Sequence, residues 1–457
     1  MSSDPVMINA FDPRRASELP KSEQILLDRR QRLLGPAYRL FYEHPLHIVR
    51  GEGVWLYDAE GAAYLDAYNN VPSVGHSHPR VVEAIARQAS QLNTHTRYLH
   101  TGILDYSEML LASFPGELSQ VMYTCSGSEA NDLAVRVARQ FTGGTGFIVT
   151  RLAYHGVTDT IAAMSPSLGT QVTLGPHVRV VPAPRSASTP AKAAVNAEAA
   201  GTGDRQVGRD FAAGVEASLE QMRSLGIKLA GLIVDSIFSS DGVFADPPGF
   251  LQEAVAAVRR AGGVFIADEV QPGFGRTGDA MWGFQRHSVV PDIVTLGKPM
   301  GNGYPVAAMV SKPEVLAPFG RHCRYFNTFG GSPVAMAAAR AVLEIIVEER
   351  LRERALETGQ YLRRGLAALG GKFEVIGDVR GAGLFIGVEL VTDRATGSPA
   401  TRFVAALVNE LRRRRVLISA SGPGANVLKI RPPLAFGRAE ADILLGELEA
   451  SLAHLPA

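Results

Sequence analysis

Lys298 is the one charged side chain between Asp292 and Pro305 in DIVTLGKPMGNGYP, lying between an apolar run (Ile293, Val294, Leu296) and a turn rich in glycine. A lysine delivered by a strand and partly withdrawn from water has a lowered pKa and can form a Schiff base with a carbonyl. A phosphate loop of the G-x-x-x-x-G-K-[ST] kind fails here, because the lysine precedes the glycines and Pro299 stands where Ser or Thr is required. In GVFIADEVQPGFGRTG, a second apolar run, Val264 to Ala267, ends at Asp268, followed by Glu269, Val270 and Gln271. Ligands of parallel α/β sheets sit at the carboxyl ends of strands, so a carboxylate there is placed to hold a protonated ring nitrogen. A capping or salt-bridging aspartate would look the same in isolation.

Two further stretches have the same logic. In TCSGSEAND a strand runs into Ser126-Gly127-Ser128 and a helix starts at once, which offers free N–H groups and hydroxyls to an anion. An ordinary serine cap with no ligand explains those residues equally well. No G-x-G-x-x-G dinucleotide pattern is present there. Tyr154 and His155, in LAYHGVT, follow the run FIVT; such a tyrosine lies flat on a cofactor ring or belongs to the core. Taken as an ordered set, a phosphate cradle, an aromatic face, an aspartate for a pyridine nitrogen and a lysine for an aldehyde are the contacts pyridoxal phosphate requires.

The elements that must position these residues alternate between short apolar runs (VMYTC, FIVT, LAGLIVD, GVFIAD) and amphipathic helices. PRVVEAIARQASQL places Val82, Ile85, Ala86 and Ala89 on one face, and EANDLAVRVARQF does so with Ala130, Leu133, Ala134, Val137, Ala138 and Phe141. GFLQEAVAAVRRAGG is a helix closed by glycine. This alternation predicts an α/β fold with a mostly parallel central sheet flanked by helices. Residues 182–208, rich in Ala, Ser, Pro and Gly, read as a long surface loop. Beyond about residue 340 a helical stretch, paired strands in FEVIGDVRGAGLFIGVELV, a helix in TRFVAALVNELRRRRV and a short strand in VLKIRPPL predict a smaller α+β unit. The arginine run 412–415 ends a helix whose stripe is Phe403, Val404, Leu407, Val408 and Leu411, where cations oppose the helix dipole. The expected division is 1–75 as the N-terminal part of the small domain, 76–340 as the large domain and 341–457 as the rest of the small domain.

The totals narrow the class. With 457 residues and 46% hydrophobic content the chain is too long for one ordinary domain. Its 46 basic and 45 acidic residues point to neither nucleic acid nor an anionic membrane. Two cysteines, Cys125 and Cys323, make neither a disulfide framework nor a four-cysteine zinc site, and no metal site is expected. No apolar run of signal-peptide or membrane-span length occurs, so a cytoplasmic location is expected.

From about residue 40 to 440 the chain resembles the class III (ornithine/ω-type) aminotransferases, pyridoxal-phosphate enzymes of fold type I. The resemblance runs through GVWLYDAEGAAYLDAYNN, GHSHP, CSGSEAND, AYHG, ADEVQPGFGRTG, PDIVTLGKPMGNGYP, FNTFGGSP, VRGAGLFIGVEL and RPPL. It implies that Lys298 is the covalent anchor and proton shuttle, that Asp268 bonds the ring nitrogen, and that Val270 packs on the ring. It further implies Gln271 near the 3-hydroxyl, Tyr154 stacked on the opposite face with His155 in support, and Ser126, Gly127 and Ser128 on the phosphate. Thr328, in FNTFGG, would reach the phosphate of a neighbouring subunit, which makes a homodimer with its active site at the interface the expected assembly. GHSHP and TRYLH, including Tyr98, would line the substrate entrance. The implied activity is transfer of an amino group from an amine donor to an oxo-acid acceptor.

Departures from the family pattern bear on the substrate. Many members read VEP where this chain has Val234-Asp235-Ser236, and arginine where it has Lys429. That Glu–Arg pair handles an α-carboxylate; Asp235 and Lys429 differ in length and geometry, and lysine offers no planar fork. Arg431 is an alternative carboxylate anchor. The chain also resembles the ethanolamine-phosphate and hydroxylysine-phosphate phospho-lyases in LNTHTRYLH, SGSEANDLA and NTFGG, whereas Tyr304 in GNGYP is the transaminase spelling where lyases carry histidine. Amino transfer is therefore the expected reaction and phosphate elimination the alternative. A non-catalytic relative is disfavoured by the intact set Asp268, Lys298 and Ser126 to Ser128.

Overall fold

The computed structural model describes residues 7–184 and 203–455. Its centre is a seven-stranded sheet in the order Gln120–Thr124, Ala307–Ser311, Ile293–Leu296, Val264–Asp268, Leu229–Val234, Gly146–Thr150, Val178–Val181. Neighbours are parallel except Ala307–Ser311, which runs antiparallel to both of its partners. Five of the seven strands are buried at every position. That double-sided burial is why they appear in the sequence as continuous apolar runs without alternation. Successive side chains still divide between the two faces. Phe147, Val149, Ile233, Val264, Ile266 and Ile293 meet Leu133, Ala134, Val137 and Ala138 of the helix Gly127–Thr142. Ile148, Leu232, Phe265, Val294 and Val310 join the larger core on the opposite face.

Both ends of the chain build the smaller sheets. Strands Ile48–Glu52, Trp55–Asp58 and Ala63–Asp66 form an antiparallel meander, and Val416–Leu417 returns to pair in parallel with Ala63–Asp66. Strands Ile376–Ala382, Phe385–Asp393, Val427–Ile430 and Ser419–Ser421 make an antiparallel sheet. The Ile376–Asp393 hairpin is fastened to the loop after Asp268: Leu384 N–H donates to the Arg276 carbonyl at 3.0 Å. The fully buried Arg276 guanidinium returns bonds to the carbonyls of Leu384 and Pro432.

Several expectations are adjusted by packing. In the helix Pro79–Ala89 the buried residues are Val81 and Ala84, and Val82 is 54% exposed, so the buried stripe lies one position from the one expected. Phe141 is exposed because it reaches the end of its helix, where the sheet no longer covers it. The long stretch after residue 333 is two helices, Pro333–Glu348 and Leu351–Lys372, separated at Arg350, whose φ of 52° breaks the helical path. Of the 182–208 loop, residues 185–202 lie outside the described residues, and the helix Gly203–Ser224 begins within its expected span. There Val207 is buried in the core with Phe211 and Phe250. The run 412–415 behaves as expected at a helix end, with Arg413 and Arg414 paired to Glu410.

The helix Leu351–Lys372 seats directly on the hairpin turn. A Cβ added at Gly359 would lie 2.0 Å from the Gly383 carbonyl oxygen, whereas one at Gly371 would meet nothing within 4 Å. Alanine improves a helix interior by about 1 kcal/mol over glycine, but backbone overlap of this size costs more. Gly359→Ala is therefore expected to lower the apparent Tm by several degrees, and Gly371→Ala to leave it unchanged or raise it. Thermal scans of both variants decide this; equal behaviour would contradict the close seating.

Candidate active site

Lys298, Asp268 and Tyr154 all stand at or just beyond the carboxyl ends of parallel strands, brought to one edge of the sheet by the shared direction of Ile293–Leu296, Val264–Asp268 and Gly146–Thr150. Asp268 is the most constrained of them. Its Oδ2 accepts from His155 Nδ1 at 2.7 Å and from Asn131 Nδ2 at 3.0 Å, and its Oδ1 accepts from the Val270 N–H at 3.1 Å. Asn131 is held in turn, with its Nδ2 also on the His155 carbonyl (2.7 Å) and its Oδ1 accepting from Thr295 Oγ1 (2.7 Å). A buried carboxylate with this many donors is fixed in place and orientation, with acceptor capacity left on Oδ1.

Lys298 opens a short 3-10 turn and makes no hydrogen bond or ion pair to a described residue. Burial, assisted by the nearby Arg431 charge and opposed by Asp268 and Asp235, brings its amine down to about 8. A substantial neutral fraction at physiological pH suits a nucleophile or a proton acceptor.

The turn at 126–128 meets both descriptions offered by the sequence. Ser126 is the N-cap of Gly127–Thr142: its Oγ accepts from the Glu129 N–H at 3.3 Å, and Glu129 Oε2 accepts from Cys125 N–H at 2.8 Å and Ser126 Oγ at 3.1 Å. The Ser126 hydroxyl is thus committed to the helix, while the N–H groups of Gly127 and Ser128 find no acceptor among the described residues. Ser128 Oγ accepts from the Val157 N–H at 3.1 Å, tying the turn to the Tyr154–His155 loop. Gly127 is required sterically, since a Cβ there would lie 2.9 Å from Val270 Cγ2.

Gln271 Oε1 accepts from Asn70 Nδ2 and Arg431 Nη1, both at 2.8 Å. Asp235 is turned into its own loop, accepting from the N–H groups of Ile237 and Ser239 at 2.9 Å each, and burial raises its pKa. Lys429, 6% exposed, has no hydrogen-bonding or ionic partner among the described residues; burial and the Arg431 charge hold its amine well below the usual lysine value. Tyr98 and Thr328 stand apart: Tyr98 is 68% exposed and stacked on His95, and Thr328 lies exposed on the loop with Phe326 and Phe329. Sequence reasoning missed Asn131, Asn70 and Glu129. Glu129 was detectable as the second half of a Ser-x-x-Glu capping box, and Asn131 as a polar residue within an otherwise apolar helix face.

These residues fit pyridoxal phosphate. The two free N–H groups at a helix start suit its phosphate, the immobilised carboxylate its ring nitrogen, and the unpartnered lysine its aldehyde. The comparisons agree. The family described as Aminotransferase class-III matches residues 41–452. The alanine–glyoxylate aminotransferase 2-like protein of Drosophila melanogaster is 42% identical over 94% of this chain and 87% of its own length. A phospholyase from Arthrobacter, solved in complex with phosphoethanolamine, superposes at a TM-score of 0.89 with 45% identity, covering 94% of this chain and all of the other. A pyridoxal-phosphate-bound amine transaminase from an uncultivated Pseudomonas species matches at a TM-score of 0.80 and 29% identity, over 91% and 96% of the two chains. The chain is therefore a member of the class III aminotransferases, pyridoxal-phosphate-dependent enzymes of fold type I.

Proposed function

We propose that this enzyme acts on a small primary amine bearing a phosphate ester on the adjacent carbon, and eliminates the phosphate. Lys429 carries this reading. An α-carboxylate is best met by a planar guanidinium fork; this chain has Lys429 in place of one, and the Arg431 guanidinium gives its Nη1 to Asn70 and Gln271. What the site offers is Lys429, a buried amine with no carboxylate partner among the described residues, whose charged form an arriving phosphate dianion would favour. The likeness to a phospholyase solved with phosphoethanolamine supports the same substrate class.

Bound pyridoxal phosphate supplies an aldehyde that condenses with the amine and an electron-poor ring that draws charge from the substrate's α-carbon. The chain's residues do the rest. Asp268, braced by His155 and Asn131, would hold the proton on the ring nitrogen. Gly127 and Ser128 would anchor the phosphate of the cofactor, Tyr154 and Val270 would flank it, and Lys298 Nζ would take the α-proton. Lys429, with Arg431 behind it, receives the substrate phosphate as the C–O bond breaks and its electron pair leaves on oxygen. With water, the overall reaction gives an aldehyde, ammonia and inorganic phosphate.

Amino transfer to an oxo acid is the second reading, favoured by Tyr304 in GNGYP and by the aminotransferase name of the Drosophila relative. In either case we place the enzyme in the cytoplasm as a homodimer. Tyr98, Leu99, Phe326 and Phe329 are exposed, with His95 touching both Tyr98 and Phe326 beside the Thr328 loop, and such uncovered apolar side chains support a second copy as their cover. No helix among the described residues is long and apolar enough to cross a membrane.

Holoenzyme given ethanolamine phosphate without any acceptor is expected to release phosphate and ammonia over many turnovers. A single stoichiometric conversion of the cofactor, with further turnover only after an oxo acid is added, would establish amino transfer instead. Lys429→Met is expected to lower kcat/KM for that substrate by about ten- to a hundredfold, the value of one charge-assisted contact, mainly through KM. An unchanged KM would remove Lys429 from the substrate. Because Lys298 must be neutral to react, the rate at which apoenzyme captures pyridoxal phosphate should rise with pH and level off above about 8. A rise continuing toward 10.5 would show an amine with ordinary lysine basicity.

A further inference from the structure

Arg431 is 8% exposed, and its guanidinium lies 4.3 Å from the centroid of the Tyr68 ring. Its Nη1 donates to Asn70 Oδ1 at 2.6 Å and to Gln271 Oε1 at 2.8 Å, and Asn70 Nδ2 donates to the same Oε1 at 2.8 Å. A guanidinium has donors and no acceptor, so both amide atoms it touches must be oxygens. The orientation of the two amides, ordinarily ambiguous, is fixed by that chemistry. Gln271 Oε1 then has both acceptor positions filled. Its amide nitrogen is the end that remains, and it makes no hydrogen bond to a described residue.

The cofactor carries four polar groups, and three have partners described above: the ring nitrogen at Asp268, the aldehyde at Lys298 and the phosphate at Gly127–Ser128. The fourth, the 3-oxygen, lies next to the aldehyde on the ring edge away from the phosphate. Gln271 follows Asp268 by three residues, and its partner Arg431 is near enough to Lys298 to act on its charge. We propose that Arg431, braced by Asn70, is a positioning residue that turns Gln271 so that its amide N–H, and not its oxygen, faces the 3-oxygen of the cofactor. A donor at that oxygen favours its anionic form. The inference rests on cofactor binding alone and holds for either reaction.

The test is a pH titration of the visible band of holoenzyme without substrate, beside the rate of cofactor loss on dilution. Arg431→Lys keeps the charge but sets its nitrogen one bond nearer the backbone and without the planar head, out of place for the two amide oxygens, so it separates positioning from simple electrostatics. It is expected to raise the titration midpoint by three- to tenfold in proton affinity and to speed cofactor loss several-fold. Gln271→Ala should shift the midpoint at least as far, and Arg431→Lys in that background should add nothing. Asn70→Ala should give the smaller shift of a lost brace, and carries the test if Arg431→Lys does not fold. An unchanged midpoint in the folded variants, or fully additive shifts, would overturn the proposal. So would a raised KM for substrate with no spectral change, which would put Arg431 on the substrate.

Discussion

The site depends on one buried carboxylate held still. Asp268 has its Oδ2 filled by His155 and Asn131 and its Oδ1 met by the Val270 N–H, so neither rotation nor withdrawal is available to it without orphaning a buried donor. Each of those donors belongs to a different part of the sheet: His155 to the loop after Gly146–Thr150, Asn131 to the helix after Gln120–Thr124, and Val270 to its own strand's turn. The carboxylate therefore registers three connections against one another, and Thr295, on the strand that delivers Lys298, closes the circuit through Asn131. The distance between the group that would hold a ring nitrogen and the group that would meet an aldehyde is set by this polar lattice. Backbone stiffness alone would not fix it.

The smaller sheets act on the site through cations. Arg276 and Arg431, from the GRTG loop and the residue after the strand Val427–Ile430, are buried without carboxylate partners among the described residues and donate to carbonyls and amides, Arg431 Nε remaining unpaired there. Burial, together with the positive charge of Arg431, lowers the basicity of both Lys429 and Lys298. Burying such charges is costly, and a site that retains them is prepared for anionic ligands. The close seating of Gly359 on Gly383 keeps the hairpin, and with it Arg276, in place.

The chemistry-bearing residues were legible in the sequence where one strand ends in one polar group. Asp268 and Lys298 were legible because a fully buried strand is apolar along its length, so the polar residue at its end marks the edge of the sheet; the 126–128 turn was legible from Ser-Gly-Ser leading straight into a helix. Partnerships were not legible. Asn131 and Asp268 are 137 residues apart, and Asn70 and Arg431 are 361 apart, and no local periodicity encodes such pairings. The contacts of Arg431 Nη1 with Asn70 and Gln271, beside its expected place as a carboxylate anchor, are of this kind. The helix Pro79–Ala89 shows a smaller limit: its stripe could be drawn from Val81 or Val82, and the neighbouring helix Pro333–Glu348, invisible to a local reading, selects Val81. Tyr98 and Thr328 find no role within a single chain.

The central claim is that Asp268 keeps a proton on the ring nitrogen of the bound cofactor. Nitrogen NMR of holoenzyme carrying ring-labelled pyridoxal phosphate reads that proton directly. The account predicts a pyridinium signal that persists across the neutral pH range, and its loss in Asp268→Ala. A neutral pyridine signal in the unaltered enzyme would contradict it.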